Sequence, residues 1–390
     1  MKSSFPIPVY IHHAYRTPIG RFGGSLKGMR AADLAATHLR SALLTSQTQD
    51  RKVDGVFLGH ARQAGAGPNP ARQAAVFAGL SEETPAVTVN QACASGLTAV
   101  VSAAQHVALG RGSWFWAGGV ESMSNTPYFL MQARFGARMG DGEVTDGMYR
   151  DGFFCPMAQM VMGETVQRFI AFEMGISRQE QDAFALESQT RASEAWGRGD
   201  FDREILPVHE GKIELDRDEH LRPDTTLEAL GRLTPVFDQE RGTLTARNSS
   251  GITDGASFLS VSAEESGASV EILDYEVIAL DPKRMGLGPV YAIQKLLERT
   301  GIGLDAVEHV EINEAFAAQV LACQRLLHVD TQKLNPLGGA IALGHPIGCS
   351  GARILTTLIH ALKGKKGALG LASLCVSGGQ GIAVLVRSQE

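Results

Sequence analysis

The stretch Val89-Asn90-Gln91-Ala92-Cys93-Ala94-Ser95-Gly96-Leu97 sets the reading of the whole chain. Before it, Ala86 to Val89 is a short apolar run of strand length. After it, Val100, Val101, Ala104 and Val107 recur at helical spacing. Cys93 therefore falls where a strand ends and a helix is about to begin. The free N–H groups and positive dipole end of a helix start stabilise an anion. A thiol at that place is expected to have a lowered pKa and to be a candidate nucleophile. A lone cysteine is also commonly a small buried hydrophobe, and position alone leaves both readings open.

Outward from this stretch, strands and helices alternate. Val9 to His12 and Val53 to Gly59 read as strands, Ala31 to Leu44 as a helix. Asn69-Pro70 opens another helix, with Asn as N-cap and Pro at the first helical position. The apolar strand Trp114 to Gly118 follows the Cys93 helix. Alternation of this kind predicts an α/β fold with a largely parallel sheet and helix-covered faces. From Gly119 to about Arg247 the alternation stops. Seven of the eleven methionines lie between Met123 and Met162. Helices are expected at Met160 to Phe172 and Ser177 to Trp196, the second with a Ser177/Glu180 capping box. The methionines suit a pocket for a flexible chain, and equally ordinary core or a subunit contact. Alternation returns from Val270, with a strand at Val307 to Ile312 and helices at Pro289 to Arg299, Ala315 to Leu327 and Gly348 to Leu362.

The two α/β stretches resemble each other. Ser95-Gly96 begins a helix and the strand at Trp114 follows; Ser350-Gly351 begins a helix and the strand at Leu369 follows at the same offset. A duplication of this kind brings equivalent helix N-termini together. The domain boundaries expected are 1–118 for an N-terminal half, completed by about 248–268, then 119–247 as an inserted loop domain and 269–390 as the C-terminal half.

Composition bounds the function. The 390 residues exceed one ordinary core. Five cysteines, an odd number without a CxxC pair, argue against a disulfide framework or a zinc site and suggest a reducing compartment. The N-terminus lacks an apolar signal segment and no run is long enough to span a membrane, so a cytoplasmic location is expected. With a net charge of −6 and no basic stripe, nucleic acid and anionic membrane are poor partners. An anionic small molecule would need a local cluster of Arg and Lys.

Four loops at strand ends carry unusual residues. The first holds Cys93. The second is Asn313-Glu314-Ala315-Phe316. The third runs from Asn335 through Gly344-His345-Pro346 to Gly348, and the fourth is Cys375-Val376-Ser377-Gly378-Gly379-Gln380. Ligands of parallel sheets bind at such ends. Singly, each residue has a plain reading: a core histidine, a packed cysteine, Asn313 as a helix N-cap, Glu314 as a first-turn charge.

Together these residues resemble the thiolase family, over essentially the whole chain. The motifs that carry the likeness are Arg16 to Gly24, the Cys93 stretch, Gly118-Gly119-Val120-Glu121-Ser122-Met123, Asn248 to Gly255, Met285-Gly286-Leu287-Gly288, and the Asn313, His345 and Cys375 loops, in family order. The resemblance implies the five-layer αβαβα thiolase fold with an inserted loop domain. It implies acyl transfer to coenzyme A, a substrate rather than a bound cofactor, with no metal and with a homodimer or homotetramer as the working state. It assigns Cys93 as nucleophile, His345 as its base, Cys375 as acid–base for the second half-reaction and Asn313 as holder of a water at the enolate oxygen. The oxyanion donors would be the N–H groups of Cys93 and Ser377. A glycine is usual at the latter position, so strain at Ser377 is expected if φ must be positive. Arg222 and Ser250 match coenzyme A contacts; Met162, Met285 and Phe316 would flank the pantetheine and acyl tunnel; Arg247, where a Gly is common, would either reach a coenzyme A phosphate or stand as a solvated surface charge, the second reading being favoured. Val161 stands where biosynthetic members often carry His. The expected reaction is acetyl-CoA C-acetyl transfer, the alternative a broader 3-ketoacyl-CoA thiolase. A decarboxylating ketosynthase lacks a second catalytic Cys, and a non-catalytic acyl-CoA or lipid carrier would not need all four polar groups.

Overall fold

The computed structural model describes residues 3–390. The main strands are β1 (Val9–Arg16), β2 (Gly55–Gly59), β3 (Ala86–Val89), β4 (Trp114–Ser122), β5 (Thr253–Ser262), β6 (Val270–Ala279), β7 (Val307–Ile312), β8 (Leu369–Val376) and β9 (Gln380–Ser388). The helices that pack on them are α1 (Ala31–Thr45), α2 (Pro70–Phe77), α3 (Ser95–Ala108), α4 (Arg178–Arg198), α5 (Gly288–Thr300), α6 (Ala317–Leu327) and α7 (Ile347–Ala361). Strand order is β7-β8-β9-β6-β1-β5-β4-β2-β3.

The order contains the duplication. The run β2-β4-β5-β1 is parallel at its first pairing and antiparallel at the next two. The run β7-β8-β9-β6 has the same signs. The halves meet where Val9–Ile11 of β1 pairs antiparallel with Val270–Ile272 of β6. The sheet is thus mixed, with antiparallel pairings outnumbering parallel ones, which corrects the largely parallel expectation. The return strands β5 and β9 cause the difference. β9 follows β8 through a tight Gly378-Gly379 turn, and β5 arrives only after the long insertion.

Apolar packing separates the layers. Leu34, Leu39 and Ala71 of α1 and α2 pack on Val56, Trp116 and Phe258 of the first half-sheet. Ile293 and Val320 of α5 and α6 pack on Val310, Leu371 and Leu385 of the second. Between the half-sheets lie α3 and α7, whose Leu97, Val100, Ile354 and Leu355 share one core with both. Five layers result. All nine residues of β4 are buried, as expected when both faces are covered. Where α3 crosses α7 only glycine fits. A Cβ on Gly351 would lie 2.5 Å from the Leu97 nitrogen, and one on Gly96 would lie 2.9 Å from the Ala352 nitrogen. These reciprocal contacts are what the Ser-Gly repeat encodes.

Between β4 and β5 the chain forms short strands and helical turns around α4, whose Ser177/Glu180 capping box is present. The expected Met160 to Phe172 helix starts at Met162 and passes into a π-helical turn at Gln167–Phe172.

Candidate active site

The Cys93 turn is built by its own polar residues. Gln91 N–H donates to Ser95 Oγ (2.9 Å), Ser95 Oγ donates to Ala92 O (2.7 Å), and Ala92 N–H donates to Asn90 Oδ1 (3.0 Å). They hold Ala92 at φ 47°, in the left-handed region, which costs a non-glycine residue about 1–2 kcal/mol. Cys93 follows in a 3₁₀ turn, Ala92–Ala94, directly before α3.

Cys375 sits near the end of β8. In the turn after it, positive φ falls on Gly378 (86°) and Gly379 (80°) and not on Ser377. The strain expected at Ser377 is absent, and the backbone N–H groups of Ser377 and of Cys93 itself favour the Cys93 sulfur anion. Gln91 Nε2 donates to Gln380 Oε1 (2.8 Å), tying the Cys93 turn to the Cys375 turn.

His345 precedes α7. Its Nδ1 lies 2.5 Å from Ser350 Oγ, and Ser350 Oγ lies 2.9 Å from Pro346 O. A carbonyl can only accept, so the single Ser350 hydroxyl proton goes to Pro346. Ser350 must then accept from His345 Nδ1–H. That leaves Nε2 as a free lone pair, the form a base needs.

These groups share one cavity of about 710 Å³. Cys93, His345, Cys375 and Ser377 line it, together with Met162, Ser250, Met285, Phe316 and Arg222, as the sequence suggested. Asn313 does not form its wall. It is 1% exposed at the end of β7, with neither side-chain atom bonded to a protein partner. It is also not a helix N-cap: α6 begins after Phe316, without a side-chain cap. Glu314 is no first-turn charge either, but a buried acceptor for Ser188, Asn335 and Ile341. Arg247 is half-buried rather than free in solvent. Burial, then Arg222 and Arg247, push the nearby His220 down to about 4.

The charge states differ from the simplest expectation. Burial pushes the Cys93 thiol above its ordinary value, against the pull of Arg62 and the Ser377 N–H. This direction is opposite to the lowered pKa read from the helix start: Cys93 is a buried residue, 6% exposed, and burial is the largest influence on its thiol. Burial and the neighbouring Cys93 and Cys323 raise Cys375 further. Burial, then Arg353 and Arg62, lower His345 to about 3. At neutral pH the resting site holds two thiols and a neutral imidazole. Such a set can exchange a thioester through sulfur, with the proton passed to and from the imidazole.

Comparison with known proteins agrees with this chemistry. Residues 9–265 match the thiolase N-terminal domain and residues 267–388 the thiolase C-terminal domain. The chain belongs to the thiolase family. It is 45% identical over 385 residues to an acetyl-CoA acetyltransferase of Escherichia coli, covering 96% of this chain and 97% of that one. It is 43% identical to a probable acetyl-CoA acyltransferase of Staphylococcus epidermidis, covering 98% and 99%. Bacillus anthracis acetyl-CoA acetyltransferase superposes with a TM-score of 0.94 at 41% identity, covering 99% of this chain and 100% of that one. Human mitochondrial 3-ketoacyl-CoA thiolase in complex with CoA superposes with a TM-score of 0.95 at 38% identity, covering all of both chains. This thiolase is therefore an acyltransferase of the acetyl-CoA acyltransferase kind.

Sequence reasoning missed part of the thiolase site. Tyr149, Phe153 and Phe237 line the cavity but lie in the irregular segment, where no periodicity marks them. Glu121 enters the sequence reading only as part of a motif, although it is the lone charged residue in a fully buried strand.

Proposed function

We propose that Cys93 carries the acyl group of an acetyl-CoA C-acetyltransferase that joins two acetyl-CoA into acetoacetyl-CoA and CoA, and runs in reverse. The observation that carries this is the convergence of Cys93, His345 Nε2, Cys375 and the Ser377 N–H on one cavity. Cys93 gives its proton to His345, and the sulfur attacks the thioester carbonyl. The oxyanion takes the N–H groups of Cys93 and Ser377. CoA leaves with the proton of Cys375, and the Cys375 thiolate so formed removes an α-proton from the second acetyl-CoA. The resulting carbanion displaces the acetyl group from Cys93, whose sulfur takes its proton back from His345. The unpartnered Asn313 amide suits a water held at the enolate oxygen, since buried amides require partners.

Arg222 and Ser250 are proposed coenzyme A contacts, at the nucleotide end and the pantetheine respectively. Arg21 and Arg222 line the cavity, Arg247 lies close enough to Arg222 to act on its charge, and none of the three forms an ion pair among the described residues. Met162, Met285 and Phe316 flank the pantetheine and acyl tunnel. A short acyl group is favoured because Cys93 packs closely with Met123, Met148, Ile347 and Phe153. The apolar Val161 and Phe237 in the wall favour the alternative, a broader 3-ketoacyl-CoA thiolase. The working state is read as a homodimer or homotetramer, supported by the exposed Leu130, Met131, Phe135 and Met139 and the edge strand β3.

The deciding experiment is thiolysis against 3-ketoacyl-CoA chain length. The expected kcat/KM is highest for acetoacetyl-CoA and falls by about tenfold or more per added pair of carbons. A flat or rising profile out to medium chains selects the broader thiolase. Cys93→Ser must take no label from acetyl-CoA, and Cys375→Ala must take label yet turn over about 10²- to 10⁴-fold more slowly.

A further inference from the structure

The loop that carries His345 is fixed at both ends by buried carboxylates from elsewhere in the chain. Ahead of it, Ile341 N–H donates to Glu314 Oε2 at 3.0 Å. Behind it, Gly348 N–H donates to Glu121 Oε2 at 2.9 Å. Between these points the chain bends at Gly344, whose φ is 108°. Inside the loop, the His345 N–H makes only a longer bond, 3.3 Å, to Gly251 O.

Each carboxylate also reaches another part of the site. Glu121, at the buried end of β4, accepts from the N–H groups of Ala61 and Arg62, both at 3.1 Å, and pairs with His60 Nδ1 at 2.9 Å. Ala61 O in turn accepts from Asn90 Nδ2 at 3.2 Å, and Asn90 is the residue that holds Ala92 beside Cys93. One carboxylate thus joins the support of the Cys93 turn to the His345 loop. Glu314 follows Asn313 directly. It accepts from Ser188 Oγ (2.7 Å) and Asn335 Nδ2 (3.0 Å), joining the Asn313 strand end to the same loop.

We propose that Glu121 and Glu314 are positioning residues: together they clamp the His345 loop and hold its imidazole in register with Cys93 and Asn313. The inference rests on His345 being the base. Carboxylates this deeply buried, 0% and 1% exposed, are costly to keep unless their lone pairs are filled. Here they are filled, in part by donors of the His345 loop itself: Gly348 on Glu121, and Asn335 and Ile341 on Glu314. Capping α7 alone would not require an acceptor brought from the other half of the duplication. Networks of this kind, fully satisfied, are rigid and specify one arrangement.

The test compares E121Q, E314Q and the double variant in the full chain, with rates normalised to Cys93 sites titrated by acetylation. Glutamine keeps the volume but turns an acceptor into a donor that faces N–H groups. The clamp predicts that kcat for acetoacetyl-CoA thiolysis falls by about tenfold to a hundredfold in each single variant, as for a catalytic group displaced by about 1 Å, with KM nearly unchanged. Either release frees the same loop, so the double variant should lose little more than the worse single. Wild-type kcat per titrated site, or fully additive losses, overturns the clamp. If the Gln variants do not fold, E121D and E314D retain the charge and shorten the reach, and the same outcomes apply. In the wild-type protein the Ile341 and Gly348 amides should exchange as slowly as the core of α7; fast exchange also overturns it. H345N is the control for the reading beneath. Its full activity would remove His345 as base, whereas inactivity of H345N with active Glu variants removes the clamp alone.

Discussion

Replacing Ser350 with Ala should slow acyl transfer by releasing the His345 tautomer. Ser350 is fully buried, and its hydroxyl is committed to Pro346 O. The bond it accepts from Nδ1–H keeps Nε2 unprotonated toward the cavity. Without the hydroxyl, a buried Nδ1–H is left unpaired, at a cost of about 1–3 kcal/mol. The other tautomer escapes that cost. It places a proton on Nε2, which can then no longer accept one from Cys93. At about 1.4 kcal/mol per tenfold, the fraction of competent imidazole and the acyl-transfer rate should fall roughly 5- to 150-fold. The assay is single-turnover CoA release from acetyl-CoA, which reads the first half-reaction alone. KM should change little, because Ser350 does not line the cavity. Nitrogen-15 spectra of labelled histidine should show Nδ1 protonated in the wild type and a mixed population in Ser350→Ala. A folded variant that releases CoA at the wild-type rate, or a wild type protonated on Nε2, would refute the reasoning.

Other consequences follow from packing and charge. Gly351→Ala should destabilise the fold by about 1–3 kcal/mol, since the added methyl meets helix backbone rather than a movable side chain; an unchanged denaturation midpoint would contradict the α3–α7 crossing. Acid should destabilise the protein. His38 and His345 have folded pKa values of about 4 and about 3, below the ordinary 6.5. Their contribution is therefore present above pH 6.5 and is lost as pH falls toward those values, by at most about 1.4 kcal/mol per unit per group. Asp254, pushed up to about 6 by burial, and Glu314, also raised by burial, act in the opposite sense, while His13 and His220, each lowered to about 4 by burial, add to the acid loss. A urea midpoint no lower at about pH 5 than at about pH 7.5 would count against this balance. Arg222→Ala should raise KM for acetyl-CoA but not for a truncated pantetheine thioester; equal effects on both would place Arg222 away from the nucleotide end.

Local signals were legible where one residue type has one physical use. The Val307–Ile312 strand, the Ser177 capping box and the Asn69-Pro70 helix start are all found as read. The family and the five-layer class were legible too, through motifs in order. Direction was not. Alternating strands and helices imply parallel pairing, yet Ser377-Gly378-Gly379 also carries the glycines of a short hairpin loop, and Val376 pairs with Gln380 across it. Asn313 shows a second limit. An Asn shortly before a helix usually caps it. Here the chain continues through Phe316 before α6 starts, and the amide is left buried without a protein partner. Such a difference depends on three residues of backbone path, for which spacing carries no signal.

The nucleophile shows the third limit and has its own test. A helix start was visible in the sequence, but burial was not, and burial decides the sign. If Cys93 rested as a thiolate, iodoacetamide would alkylate it at a rate that levels off below neutral pH. A buried thiol facing a neutral imidazole behaves otherwise. Arg62 and the Ser377 N–H favour the sulfur anion, while Arg353 and Arg62 disfavour the imidazolium that must form with it. The ion pair is therefore a poor resting state and becomes favourable only as charge moves on to a bound carbonyl facing the two N–H donors. Alkylation by a reagent without that carbonyl should keep rising with pH beyond the ordinary thiol range, while acetylation by acetyl-CoA proceeds at neutral pH. A plateau in the alkylation rate below about pH 7 would show a stable resting thiolate and remove burial as the controlling influence on Cys93.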